Sequence, residues 1–341
     1  MARRSPMDDE RHLHFTPYLY IRAFPNDGGA RALGGGAVFW ASPDIDFFPK
    51  VNGNPVANTE VTVQATITNG GYLPAVGVTV DFFWFTPAPV FVPTDGNRIN
   101  KTPVLVTIPA QSSVQVTCPT PWIPTFIGDG HECLVVQCNS FLEGGDGLKF
   151  PLHAELDRHV AQRNLMVSDA SADGQKLQLR VQNPFDAAVG FSVYLSSRRV
   201  RGDFAQLREQ DPDMLMRVVA NASPGGPHDL IEQELDLTVE DISGVDLGVR
   251  VLAMEPLSAT QAGTLNPDDY LKLRGGAGTG KGDALGRRLG EFELAPGGNG
   301  MLFLEAPQMD VGEDAYRVLH FSQAVQNCVV GGYTIVIEPL R

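Results

Sequence analysis

Apolar and polar side chains alternate one for one along much of the chain, the period of a strand with one buried face. Within residues 60–67, Val61, Val63, Ala65 and Ile67 fall on one face, and Asn69-Gly70-Gly71 follows with the backbone freedom a tight turn needs. Residues 76–84, 104–108, 114–118, 132–138 and 164–167 read as further strands, with Pro109-Ala110-Gln111-Ser112 breaking the chain between two of them. Short strands joined by such turns predict an antiparallel sandwich rather than alternating strands and helices.

The pattern also repeats. Val61-Thr62-Val63-Gln64-Ala65-Thr66-Ile67-Thr68-Asn69 with Ala75-Val76-Gly77-Val78-Thr79-Val80 returns as Leu177-Gln178-Leu179-Arg180-Val181-Gln182-Asn183 with Ala188-Val189-Gly190-Phe191-Ser192-Val193. Ile108-Pro109-Ala110 parallels Leu294-Ala295-Pro296, residues 131–136 parallel 316–321, and 164–167 parallel 333–337. Two copies of one strand order in register predict an all-β chain of two tandem antiparallel sandwiches, residues 39–168 and 169–341. The second copy carries an insertion over about 197–288 that is partly helical. Asp211-Pro212 and Asn266-Pro267 place a capping side chain and a proline at helix starts, the second helix ending near Arg274. Residues 229–239 and 249–254 read as an added hairpin or an extra layer. Ahead of both copies, 1–38 reads as an N-terminal arm with His12, His14, Tyr18 and Tyr20, closed by a Gly34-Gly35-Gly36 hinge.

Composition agrees with many turns: 36 glycines and 25 prolines stand among 341 residues. The formal charge of −14 speaks against nucleic acid or an anionic membrane surface as partner. No run of 18 apolar residues predicts a membrane span. Met1-Ala2-Arg3-Arg4-Ser5-Pro6 is followed by Met7-Asp8-Asp9-Glu10 rather than an apolar stretch, so no signal peptide is expected. The default is then a cytoplasmic protein with reduced thiols, an extracellular or particle-associated place staying open.

Residues 40–168 resemble a known family. Trp40-Ala41-Ser42-Pro43-Asp44-Ile45, the strands flanking Asn69-Gly70-Gly71, Trp122-Ile123-Pro124, His131-Glu132-Cys133-Leu134-Val135-Val136 and Asp157-Arg158-His159-Val160-Ala161-Gln162-Arg163-Asn164-Leu165 are similar to bacterial immunoglobulin-like modules of the cell-adhesion-related (CARDB-like) type. The resemblance implies immunoglobulin-like sandwiches and a non-catalytic binding, spacing or assembly role, often at the bacterial surface.

The candidate chemistry is thin. His131, Cys133, Cys138 and Cys118 invite a zinc reading, but Cys133 and Cys138 lie five apart on one strand and point to opposite faces, as buried thiols do. His131 beside Cys133 offers no oxyanion donor for a nucleophile. Gly275-Gly276-Ala277-Gly278-Thr279-Gly280-Lys281-Gly282 lacks the final Ser or Thr of a phosphate loop and reads as a linker. Arg201-Gly202-Asp203 reads as the approach to a helix cap, and Glu143-Gly144-Gly145-Asp146-Gly147 lacks the ligand alternation of a calcium loop. Asp157-Arg158-His159 reads as a charged corner tying Asp157 to backbone donors, and Phe83 and Phe85 as a potential interface beside core Phe82. No catalytic, cofactor-binding or metal-ligating residue is assigned. The expected function is a non-enzymatic module that docks a protein partner, or itself, through arm and insertion. The alternative is a carbohydrate-associated or hydrolytic protein with a site between the sandwiches.

Overall fold

Period-two alternation is realised in full at residues 62–69, where Val63, Ala65, Ile67 and Asn69 are buried and the residues between them half-exposed. The computed structural model describes residues 16–51, 54–55, 57–85, 91–125, 132–143, 151–169, 175–202, 238–257, 265–274, 285–306 and 315–338. In the first half the strands are β1 (Leu19–Tyr20), β2 (Ile45–Phe48), β3 (Lys50–Val51), β4 (Asn54–Pro55), β5 (Thr62–Asn69), β6 (Ala75–Phe85), β7 (Val104–Ile108), β8 (Ser112–Thr117), β9 (Cys133–Asn139) and β10 (Val160–Arg163). The second half contributes β11 (Leu165–Asp169), β12 (Gln175–Gln182), β13 (Val189–Arg201), β14 (Thr238–Asp241), β15 (Arg250–Leu257), β16 (Arg287–Leu294), β17 (Asn299–Ala306), β18 (Ala315–Val325) and β19 (Cys328–Glu338), with helix α1 (Pro267–Leu273) between β15 and β16.

The chain is an all-β sandwich fold. In the first half β5 pairs β8 along one edge and β1 and β2 along the other, facing a sheet of order β10-β9-β6-β7. Val63, Ile67, Val80, Phe82, Trp122 and Val136 are among the apolar side chains packed between those sheets. The second half repeats the pairing, with β12–β17 standing for β5–β8, β13–β16 for β6–β7, β13–β18 for β6–β9 and β18–β19 for β9–β10. Its core holds Leu179, Val181, Phe191, Leu195, Leu302 and Phe321.

The likeness of pairing extends to two asparagine side chains. Asn69 Nδ2 donates to the carbonyls of Leu73, Ile108 and Pro109 at 2.9, 3.3 and 3.2 Å, while its Oδ1 accepts from the Gly71 N–H at 3.0 Å. Asn183 does the same with Ala187, Leu294 and Ala295 at 2.7, 3.0 and 2.9 Å, and accepts from the Phe185 N–H at 2.9 Å. Each asparagine thus ties its own turn to the hairpin across the sandwich. Truncation removes this donor from one buried and two half-buried carbonyls, and a buried group left unsatisfied costs about 1–3 kcal/mol. Asn69→Ala and Asn183→Ala are therefore expected to destabilise by a similar amount, about 2–3 kcal/mol in chemical denaturation. Aspartate at either position is expected to be worse, because a carboxylate there faces carbonyl oxygens.

Four expectations are corrected. Residues 164–167, expected to close the first copy, give β11, which pairs with β19 in parallel, Leu165 opposite Thr334 and Val167 opposite Val336. The apparent match of these two segments is one of side-by-side strands, and β10 is the strand that closes the first half. For the segments expected as an added hairpin or an extra layer, the described strands are not paired with each other: β14 pairs with β13 and β15 with β17, so each widens a different sheet. Residues 229–237 lie outside the described residues, as does the helix start at Asp211-Pro212. The helix start at Asn266-Pro267 is present, the Asn266 Oδ1 accepting from the Asp269 N–H at 3.1 Å. Finally, over 16–38 the arm is folded onto the body. Leu19, Ile21, Ala23 and Leu33 are buried, and the Ile21 and Leu33 N–H groups donate to Arg158 and Glu155 carbonyls at 2.9 Å. Nor is the glycine triplet a free hinge, since the Gly35 carbonyl accepts from the Val329 N–H at 2.7 Å.

Candidate functional site at the seam between the halves

Sheet β10-β9-β6 is buried on both faces. Alternation sends Phe82, Leu134 and Val136 inward, and sends Phe83, Phe85, Cys133, Val135 and Val160 to the outer face, where they meet a second apolar layer. That layer is built by Phe39, Trp40, Phe91 and Leu152 of the first half and by Tyr194, Leu285, Ala324 and Val329 of the second. Phe83 and Phe85, expected as a surface for a partner, are 1% and 7% exposed; the chain's own second half takes that place.

Trp40 is the aromatic centre of the seam. Its indole Nε1 donates to Thr334 Oγ1 at 3.0 Å, and Thr334 Oγ1 lies 2.8 Å from His320 Nδ1. The ring lies so close to β19 that a Cβ on Gly332 would stand 2.5 Å from it and 2.4 Å from the Phe321 carbonyl oxygen, so only glycine fits. Asn164, at the crossing between the halves, donates from Nδ2 to the Gly332 carbonyl at 2.8 Å.

Beside this layer lies a buried polar clasp. Helix α1 buries Tyr270 and Leu271, and the residue after it, Arg274, is 1% exposed. Arg274 Nε donates to the Leu33 carbonyl at 2.6 Å, Nη2 to Gly34 at 3.0 Å, and Nη1 to Val329 at 3.1 Å and to the Tyr270 hydroxyl at 2.6 Å. The Tyr270 hydroxyl donates to Glu155 Oε1 at 3.0 Å, and His153 Nδ1 lies 3.2 Å from the same oxygen. One guanidinium therefore joins the N-terminal segment, the first half through Glu155, and β19 of the second half. Burial alone would raise the Glu155 pKa, but the His153 and Arg274 charges and its hydrogen bonds outweigh that and hold it below the ordinary value. Burial and the Glu155 charge push the Tyr270 phenol well above its own. The network keeps Glu155 ionised beside a neutral phenol and a charged guanidinium, all without solvent contact: it binds segments together.

The residues singled out from sequence fall elsewhere. Cys118 and Cys138 lie in the first-half core and Cys133 on the outer face of β9, so Cys133 and Cys138 do point opposite ways. All four thiols are free and buried, and burial raises Cys118 to about 11, which disfavours the thiolate at neutral pH. Among the described residues no group of three His, Cys, Asp or Glu side chains is placed to hold a metal ion. His131, Asp203, Gly144 to Gly147 and Gly275 to Gly282 lie outside the described residues. At the charged corner the His159 N–H donates to Asp157 Oδ1 at 2.9 Å, the backbone tie expected there. Glu155, Tyr270 and Arg274 carried no motif; the one usable signal was the helix start at Asn266-Pro267, which puts Arg274 at the helix end.

The sequence matches no protein-family model and none of the curated proteins. Among solved structures it aligns with a red sea bream transglutaminase at 10% identity and a TM-score of 0.22, over 87% of this chain and 31% of that one. It also aligns with the CupB6 tip adhesin of Pseudomonas aeruginosa at 8% identity and a TM-score of 0.17, over 87% of this chain and 98% of that one. Likenesses that weak carry neither fold nor function to this chain.

Proposed function

We propose that this chain is a non-catalytic assembly module, two immunoglobulin-like sandwiches fused into one stiff body that docks a protein partner or a second copy through its outer surfaces. The observation that carries the reading is the Arg274 clasp, whose charged and polar groups are committed to three chain segments and turned away from solvent. The place a site between the sandwiches would occupy, as a carbohydrate-acting protein would need, is filled by Phe83, Phe85, Trp40 and Val329. With residues 16–38 and α1 folded inward, docking falls to the outside, where Leu105 on β7 is 71% exposed and Phe141 87%. The kinship with bacterial cell-adhesion-related modules belongs to the same proposal and rests on the motifs of residues 40–168.

Sedimentation velocity of the full chain over a wide concentration range, run beside binding to immobilised oligosaccharides, tests it. Concentration-dependent association that is lost in Leu105→Glu or Phe141→Ser, with the melt unchanged, is the expected result. Saturable oligosaccharide binding by a chain that stays monomeric would overturn it.

A further inference from the structure

The first half holds a second charged node, on the surface side of the N-terminal strand, that the assembly reading does not use. His159 sits between two carboxylates, Nδ1 at 2.8 Å from Asp157 Oδ1 and Nε2 at 2.8 Å from Glu143 Oε2. The other Glu143 oxygen, Oε1, accepts from the Leu19 N–H at 2.9 Å, and Arg158 Nε donates to the Leu19 carbonyl at 3.1 Å. Leu19 opens β1, which pairs with Asn69 and Thr68 at the end of β5, and Leu19 and the Ile21 that follows β1 are buried in the first-half core. Side chains thus fasten both backbone groups of Leu19. We propose that this node is a proton-operated latch: the imidazolium of His159 holds Glu143 in place, and loss of its proton loosens the N-terminal strand from the first sandwich.

The chemistry lies in the donor count. An imidazolium donates from both ring nitrogens, so it can satisfy Asp157 and Glu143 together; a neutral imidazole has one N–H and turns a lone pair toward the other carboxylate. The groups facing His159 are Glu143 from the short 3₁₀ turn Phe141–Glu143 and Asp157 and Arg158 from the turn before β10. Cys138 of β9 and Tyr18, whose ring lies 4.3 Å under the Arg158 guanidinium, complete the node. Both carboxylates favour the cation. Burial alone would lower the His159 pKa, but its hydrogen bonds and charge pairing with Asp157 and Glu143 outweigh that and raise it. Because the folded value lies above the ~6.5 of a free histidine, the latch stabilises fully below about pH 6.5 and is lost as pH rises through the raised value. What it controls is whether the edge of β5 at Thr68 and Asn69 stays capped by the chain's own N-terminal strand.

Residue-resolved amide exchange of the full chain, corrected for the intrinsic pH dependence, tests the latch against the His159 ring shifts in the same samples. Protection of the Leu19 and Ile21 amides is expected to fall severalfold across the His159 titration, while Phe321 in the second half is unaffected. His159→Gln is expected to abolish the step, and Glu143→Gln to shrink it while leaving an acceptor for Leu19. A flat Leu19 profile while His159 titrates would overturn the proposal. So would the same step persisting in His159→Gln, or an equal step at Phe321.

Discussion

Arg274→Ala is expected to destabilise the chain by about 3–5 kcal/mol, the range for removing one partner from a buried charge network. The loss has three parts with distinct positions. The Leu33, Gly34 and Val329 carbonyls lose their side-chain donor, the Tyr270 hydroxyl loses the donor at 2.6 Å, and Glu155 keeps a buried charge with less to balance it. Denaturant unfolding measures the total. Amide exchange locates it, with protection expected to fall first around Leu33, whose N–H donates to the Glu155 carbonyl, and Val329, whose N–H donates to Gly35 across the seam. Arg274→Lys is expected to recover little, since an ammonium is a compact donor that cannot reach four acceptors set around a planar fork. A variant that unfolds at the wild-type midpoint would show that the apolar layer alone joins the halves.

The parts of this architecture legible in the sequence were those written in local periodicity. The β5 alternation, the turn at Asn69-Gly70-Gly71 and the similar turn at Asn183 need only neighbouring residues, and so they predicted the all-β sandwich. The seam was not legible, for a physical reason. Phe83, Phe85, Val135 and Val160 show that β6, β9 and β10 have two apolar faces, but a sequence does not say whether the second face is covered by another molecule or by a later part of the same chain. Arg274 illustrates the same limit at one residue. An arginine closing a short helix ordinarily complements the helix dipole in solvent; here Leu33, Gly34 and Val329, distant in sequence, surround it. The charged corner was half legible: Asp157-Arg158-His159 is contiguous, whereas Glu143, which completes it, joins through the fold.

Replacing residues 198–287 by a short Gly-Ser turn is expected to unfold the second half. From sequence this insertion read as an excursion the sandwich does not need, and loop entropy alone would let it go at little cost. Its described residues, however, are built into the body. β15 pairs with β17 from Asn299 to Glu305, and the Leu265 N–H and carbonyl bond residues 184 and 186 beside Asn183. Val249, Tyr270 and Leu271 pack into the same core as Phe185, Phe191 and Leu302, the Tyr270 and Phe185 rings meeting edge to face at 5.4 Å. Losing one buried leucine or aromatic side chain costs about 2–5 kcal/mol, so losing several together with the Arg274 clasp exceeds the roughly 5–15 kcal/mol that hold a domain folded. Far-ultraviolet circular dichroism and amide exchange over β17 to β19 measure the outcome, with lost protection there and retained protection over β5 to β9 expected. The graded version is Leu271→Ala, expected to cost about 2–5 kcal/mol without removing any strand. A shortened chain that melts cooperatively at the wild-type temperature would mean that the second half closes on β12, β13 and β16 to β19 alone. The insertion would then be free for recognition.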